Sequence, residues 1–264
     1  MQQELWIDLA YFSGVDQSNQ EMANPPHSSP DAQNMAARGA ILATAPGYSR
    51  FTLTPLQGEI TSLIPRYSMD PEQGPSILAL AGTTLYRLDA YQQWSAVQAG
   101  AIGSYDYLNY SHGGQDLVIM GSGIHRPWVW QGSSVYFLGD CDWDLGTFCL
   151  HYERVWGAQN GQHPERVWFS EAYDPMQWTT QAAGFIDLPG WTGSRILALK
   201  SFFNEVVVFK EHEVFRIFGT TPNDFAVAKV VGDCGPANGR AITACNERLY
   251  FFTSRGFATM TGCG

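Results

Sequence analysis

The sequence predicts an all-β protein, a β-propeller-like array of short antiparallel blades with an extended N-terminal arm. Its 27 Gly and 14 Pro, with only 15% charged residues, favour many short strands joined by tight turns over long surface helices. With 45% hydrophobic residues, including 9 Trp, 12 Tyr and 15 Phe, the chain can fill a substantial core. From about residue 60 a short apolar segment recurs with a mean spacing of about 43 residues, which is typical of propeller blades.

Two regions are predicted. Residues 1–59 form an N-terminal strand and extended arm packed on the body, and residues 60–264 form a β-propeller-like domain of about five repeats. Within the first region, residues 13–34 are polar and rich in turn residues, so we expect an extended arm there rather than a helix or strand. Residues 40–54 are strand-like and offer a missing strand for the last blade, while a truncated or incompletely closed ring is the equal alternative.

The repeat is defined by an apolar core in the second strand of each unit. These cores are Ile77–Leu80, Leu117–Met120, Arg154–Trp156, Val206–Phe209 and Leu249–Phe252. The strands predicted before them are Ile60–Ile64, Tyr105–Tyr110, Thr147–His151, Ile196–Phe203 and Ala241–Ala244. The strands predicted after them are Leu85–Leu88, Trp128–Trp130, Val167–Phe169, Val214–Phe218 and Phe257–Met260.

Continuous apolar runs such as Val206–Phe209 indicate strands that are covered on both faces, as in a blade with a neighbour on each side. We expect Trp94, Trp130 and Trp178 to fill the gaps between blades. A generic β-sandwich with irregular repeats is the alternative architecture.

Composition excludes several classes of function. The formal net charge of −10 disfavours a nucleic-acid-binding module, which needs a basic face for the phosphates. No apolar run approaches the roughly 18–20 residues that span a bilayer, so no membrane partner is expected. The N-terminal sequence has no basic segment followed by an apolar core, so synthesis in the cytoplasm is expected.

The five cysteines (Cys141, Cys149, Cys234, Cys245 and Cys263) are widely spaced and form no C-x-x-C pair. We expect buried or partly buried free thiols, and a metal-binding or catalytic cysteine is the less favoured alternative.

Metal binding has one weak set of candidates. Asp140, Asp142 and Asp144 alternate as in the start of a calcium loop, but Gly146 falls at the seventh position instead of the sixth and His151 takes the place of the closing Glu. The six histidines are scattered. An acidic turn between blades is the favoured interpretation, and we assign no metal site.

No catalytic motif stands out, since a G-x-S-x-G elbow, a Walker loop and a G-x-G-x-x-G segment after a strand are all missing from the sequence. A propeller glycosidase would need paired carboxylates, for which Glu171, Asp174 and Asp187 are candidates that their spacing does not distinguish. Residues 170–178 partly resemble a sialidase Asp-box but lack its Gly and Thr. We assign no catalytic residues and no cofactor.

The segment from Arg154 to Gly219 resembles the β-propeller hub or nozzle proteins of tailed bacteriophages, which stabilise the tail at the head-to-tail connector. The matching residues are Arg154–Gly157, Pro164, Arg166–Ser170, Asp174, Pro175, Trp178, Ile196, Leu199, Val206–Lys210, Val214–Gly219 and Ser254–Gly256. The N-terminal region is similar at Phe12–Asp16, Gln33–Met35 and Pro46–Tyr48. Such proteins usually continue beyond the point that corresponds to Gly262.

The resemblance implies a structural virion component that forms a ring, commonly sixfold, around the channel through which DNA leaves. It implies contacts with the portal or adaptor and with other tail proteins, and DNA that passes without specific binding. The net charge of −10 is compatible with an acidic lumen that repels phosphates.

Two other functions stay open at this point. A glycan-binding propeller or glycoside hydrolase would use Trp128, Trp130 and Asp174, and a cellular propeller scaffold would bind proteins.

Overall fold

The computed structural model describes residues 14–15, 28–29, 33–38, 41–45, 47, 49–68, 76–190, 194–232 and 234–261. The described residues contain 23 strands and no helix, so the all-β prediction is confirmed. Among them, no helix is available that could cross a membrane. The chain divides into two compact units, Met1–Phe51 and Thr52–Gly264.

The first unit holds two small sheets. Strands β1 (Gly14–Val15) and β2 (Ser28–Ser29) pair in parallel, and β3 (Met35–Arg38) pairs antiparallel with β4 (Ile41–Thr44). The prediction that residues 13–34 contain no strand is therefore wrong at β1 and β2, and most of that arm lies outside the described residues. Because β4 pairs with β3, these four residues do not supply the missing strand of the last blade.

The second unit consists of five antiparallel sheets, here called blades I to V. Blade I comprises β5 (Ile60–Arg66), β6 (Ser76–Ala81), β7 (Thr84–Leu88) and β8 (Trp94–Ala99). Blade II comprises β9 (Asp106–His112), β10 (Gln115–Gly121), β11 (Trp128–Gln131) and β12 (Ser134–Phe137). Blade III comprises β13 (Thr147–His151), β14 (Arg154–Ala158), β15 (Arg166–Phe169) and β16 (Gly184–Asp187). Blade IV comprises β17 (Ile196–Phe202), β18 (Glu205–Lys210), β19 (Glu213–Phe218) and β20 (Ala226–Gly232). Blade V comprises β21 (Ile242–Cys245), β22 (Arg248–Thr253) and β23 (Gly256–Thr261).

Within each blade, strands that follow one another in the chain are neighbours in the sheet. The predicted apolar cores lie in β6, β10, β14, β18 and β22, the second strand of each blade, and the predicted flanking strands are also present. The repeat prediction is therefore confirmed. Blades I to IV have four strands, and the described part of blade V has three.

Neighbouring blades pack through buried apolar clusters, and β18 shows how the sequence achieves this. Val206 and Val208 belong to the cluster shared by blades III and IV, whereas Val207 and Phe209 belong to the cluster shared by blades IV and V. Successive side chains point to opposite faces of a strand, so both faces of β18 are covered. Full burial of each such side chain contributes roughly 1.5–3 kcal/mol of hydrophobic free energy.

Aromatic residues fill the space between blades, as predicted, at two of three positions. Trp130 is buried between blades I and II, and Trp178 is buried between blades II and III. Trp94 is only half-buried, at the start of the outer strand β8.

The two end blades differ from the others. Buried clusters join blades I and II, II and III, III and IV, and IV and V, but the described residues form no such cluster between V and I. On blade I the side chains of Ile60 and Leu63 are 48% and 59% exposed. On blade V, Phe252 and Phe257 are 45% and 85% exposed and contact each other, with ring centroids 5.2 Å apart. Each end blade therefore presents apolar side chains to solvent.

Candidate functional site

A central channel lies where the first strands of the blades approach one another. A cavity of about 370 Å³ is lined by residues at the start of β9, β13 and β17 and just before β21. Its chemistry comes from Asp106, Thr147, Arg195, Lys200 and Arg240. The fold thus brings together, in one cavity, residues that are more than 130 positions apart in the sequence.

Arg240 links blade V to blades I and II across this channel. Its Nη2 donates to the hydroxyl of Ser62 at 3.3 Å, to the hydroxyl of Ser104 and to the carbonyl of Tyr105 at 3.1 Å. The amide side chain of Asn238 accepts a hydrogen bond from the backbone N–H of Arg240 at 2.8 Å, which fixes the turn before β21. Arg240 is therefore held both at its backbone and at its guanidinium group.

The other charged side chains of the channel differ in whether they have hydrogen-bond or ion-pair partners. Asp106 accepts hydrogen bonds from the Thr147 hydroxyl at 2.9 Å and from the Phe148 backbone N–H at 3.2 Å. Arg195 pairs with Glu211 through Nε at 2.8 Å. The ammonium of Lys200 has no hydrogen-bond or ion-pair partner among the described residues. Its positive charge acts to lower the pKa of the buried Cys149 thiol, but desolvation raises that pKa by more.

A second cavity of about 590 Å³ continues the channel toward blades I and II. It shares Asp106, Lys200 and Arg240 with the first and adds Tyr67 and Asn109. These three shared residues therefore lie where the two cavities meet.

The aspartates of the calcium-like segment take separate structural roles. Asp140 accepts hydrogen bonds from the backbone N–H groups of Trp178 and Thr179, which fastens the loop after β15. Asp142 pairs with Arg126 at 3.2 Å. The described residues contain no group of three His, Cys, Asp or Glu side chains placed to hold a metal ion, so Asp144 does not join Asp140 and Asp142 in such a group.

The carboxylates considered for glycoside chemistry lie in turns and at a blade edge. Asp187 forms a two-pronged pair with Arg166, with distances of 2.6 and 2.8 Å, and this hydrogen bonding lowers the pKa of Asp187. Asp174 accepts a hydrogen bond from the backbone N–H of Met176 at 2.9 Å, in the turn that carries Glu171. None of the three lines the central channel.

Trp128 and Trp130 were considered as platforms for sugar binding, and the structure contradicts that role. They are 6% and 1% exposed, because both pack in the cluster between blades I and II. The guanidinium of Arg66 also lies 5.0 Å from the centre of the Trp130 ring. These aromatic side chains stabilise the blade interface.

Three of the four described cysteines are buried or partly buried, as expected, and the expectation is wrong for Cys245. Cys141 and Cys149 are buried, Cys234 is half-buried and Cys245 is exposed, all as free thiols, while Cys263 lies outside the described residues. Burial raises the pKa of the Cys141 thiol to about 12, so this group is a poor nucleophile near neutral pH.

His151 gives the protein a pH-dependent contribution to stability. The side chain is buried at the end of β13, with Nδ1 2.9 Å from the Ser201 hydroxyl, and burial lowers its pKa from the usual 6.5. The unfolded chain therefore binds more protons, so His151 favours folding fully above pH 6.5 and loses this contribution as the pH falls. We expect urea unfolding to show a smaller stability loss between pH 7.5 and pH 5 for His151→Gln than for the unaltered protein. The exposed His212→Gln is the control, and an equal slope in all three proteins would contradict the prediction.

Comparison with known proteins supports the fold and does not assign a family. No family model and no curated protein matches the chain. Among solved structures, YCF48 bound to a D1 peptide matches with a TM-score of 0.50 and 15% identity over 84% of this chain and 68% of that chain. BBS1N in complex with ARL6DN matches with a TM-score of 0.49 and 12% identity over 84% and 74% of the two chains.

PorZ, a bacterial surface component of the type-IX secretion system of Porphyromonas gingivalis, matches with a TM-score of 0.48 and 14% identity over 78% of this chain. The chain spans 27% of the length of PorZ and 68% of the length of YCF48. At such identities the likeness shows the fold alone. Together with the five consecutive antiparallel blades, the likeness to YCF48 establishes that this chain has a β-propeller fold.

Proposed function

We propose that the chain is a non-enzymatic structural component of a bacteriophage tail or head-to-tail connector, where it forms part of a ring around the DNA exit channel. The resemblance over Arg154–Gly219 supports this role, together with the propeller fold that the resemblance implies. In this role the protein associates with further copies of itself, the portal or adaptor and other tail proteins, and it resides in the virion.

The observation that carries the proposal is the pair of uncovered apolar faces on the end blades. Between adjacent blades of the array, the apolar faces are buried against each other in shared clusters. Phe252 and Phe257 on blade V, and Ile60 and Leu63 on blade I, have no such neighbour among the described residues. Burying them would contribute about 25 cal/mol per Å² of apolar surface. Contact between unlike faces of successive subunits produces a ring when the rotation closes.

The channel charges refine the hypothesis about an acidic lumen. Arg195, Lys200 and Arg240 line the propeller's own channel, and among the described lining residues the only carboxylate is that of Asp106. This channel is therefore not the acidic surface that would repel DNA. In the proposed ring, DNA passes through the centre of the ring, so repulsion of its phosphates would require acidic side chains on the outer faces of the propellers that line that passage.

Peptide mass spectrometry of purified phage particles tests the proposal directly. We expect this chain at a few to a dozen copies per particle, measured against the major capsid protein. Its absence from intact, infectious particles would refute the connector role.

The assembly surface has its own prediction. We expect the double variant Phe252→Asp, Phe257→Asp to shift an assembled state to the monomer, because two buried charges would replace two apolar contacts. Light scattering coupled to size-exclusion chromatography measures the mass. Tyr173→Asp is the matched control, since Tyr173 is a 70% exposed aromatic residue in the β15–β16 loop of blade III. If the double variant stayed assembled, or if the Tyr173 variant dissociated equally, the blade V face would not be the contact.

A further inference from the structure

We propose that the central channel binds a small multivalent anion, carrying phosphate or carboxylate groups, between Lys200 and Arg240. This site is independent of the proposed connector role, since Lys200 and Arg240 are not among the exposed apolar side chains of the end blades.

Lys200 is the first of the two cationic residues of the proposed site. Lys200 lines both cavities, and its ammonium has no hydrogen-bond or ion-pair partner in the described parts of the chain. Its backbone is well fixed, because Leu199 and Phe202 on the same strand are buried in the clusters on opposite sides of blade IV. A cation that lies in a channel without a direct ion-pair partner is stabilised by an anion that enters the channel.

Arg240 is the second cationic residue of the proposed site. All three of its side-chain hydrogen bonds use Nη2, toward Ser62, Ser104 and Tyr105. In the described residues Nη1 and Nε have no acceptor, so each of these nitrogens keeps N–H groups that can donate to a ligand. Each can form a charge-assisted hydrogen bond to an oxygen of a carboxylate or phosphate.

The remaining groups of the cavity make an anion the best match. Asp106 does not neutralise the pair completely, because its single negative charge stands against the two positive charges of Lys200 and Arg240. Arg195 adds a third positive charge at the rim, although Glu211 partly compensates it. The cavity of about 370 Å³ lies within the range of volumes typical of small-molecule sites.

Isothermal titration of the purified protein at pH 7 and low salt tests the site, with inorganic phosphate and succinate as separate probes. We expect saturable binding of at least one probe, and at least about tenfold weaker binding to Lys200→Met, because a charge-assisted hydrogen bond is lost. Binding of phosphate alone, succinate alone or both supports the site and identifies the preferred class of anion.

Two further variants keep the test specific. Arg248→Gln removes one positive charge from an exposed position on blade V and should leave the affinity unchanged. Lys200→Arg retains the charge and should restore most of the binding. The proposal is refuted if neither probe binds at millimolar concentration, or if Lys200→Met and Arg248→Gln have the same affinity while thermal unfolding shows that both are folded.

Discussion

Replacing Gly139 with alanine is expected to lower the free energy of unfolding by about 2–5 kcal/mol. Gly139 has φ of +43°, and a Cβ there would lie 1.9 Å from the backbone carbonyl oxygen of Met176. That carbonyl cannot simply move away, because it accepts the backbone N–H of Asp140 at 3.0 Å. The same turn carries the buried Trp178, so the clash would be transmitted to the interface of blades II and III. Urea unfolding measures the change.

Gly132→Ala separates crowding from backbone strain. Gly132 also has a positive φ, +63°, but a Cβ there would meet no atom within 4 Å. Only the conformational cost of about 1–2 kcal/mol applies at this position. If the two variants lost the same stability, the close approach of Gly139 to Met176 would have no energetic importance.

We expect a second large effect at Glu213, where Glu213→Gln should destabilise the protein by about 3 kcal/mol. The Glu213 carboxylate is buried and accepts a hydrogen bond from the Lys229 ammonium at 2.6 Å. It also favours the charged form of Lys210, which is 1% exposed and whose pKa is lowered by burial. Glutamine keeps the shape and removes the charge, so Lys210 would be left without its main counter-charge.

Glu211→Gln is the matched control, two residues away in the same turn. Its pair with Arg195 is solvent-exposed, so the loss should be below about 1 kcal/mol. Thermal and urea unfolding of both variants give the comparison. In addition, Lys210→Met combined with Glu213→Gln should recover part of the loss, since the buried charge is removed together with its partner. An equal, small effect at positions 211 and 213 would contradict this account.

The blade repeat was predictable because its signal is local. A strand covered on both faces, such as Val206–Phe209, is apolar at every position, and this run is visible without any knowledge of its neighbours. The outer strands gave a weaker signal. The strand Trp94–Ala99 is only partly buried and mixes polar with apolar residues, so its place in blade I became clear only from its pairing with β7.

The channel was not predictable from the sequence, for a different physical reason. Lys200 lies in blade IV and Arg240 just before the first strand of blade V, about one blade repeat further along the chain. Ser62 is 178 residues from Arg240. Nothing in the local pattern of these residues distinguishes them from solvated surface charges. Conversely, Trp128 and Trp130 were open to interpretation as a binding platform, because the sequence does not show which aromatic side chains a neighbouring blade covers.

The division of the core into clusters shared only by adjacent blades has a consequence for how such a protein can evolve. Its stability is approximately a sum of contributions from single repeats and from nearest-neighbour interfaces. A duplication or deletion of one repeat would therefore change one interface and leave the other hydrophobic clusters intact. The hydrogen bonds from Arg240 to Ser62 and Tyr105 are different, since they join distant repeats and constrain the geometry of the whole array. Changes in repeat number are thus tolerated by the packing and restricted by the long-range hydrogen bonds of Arg240.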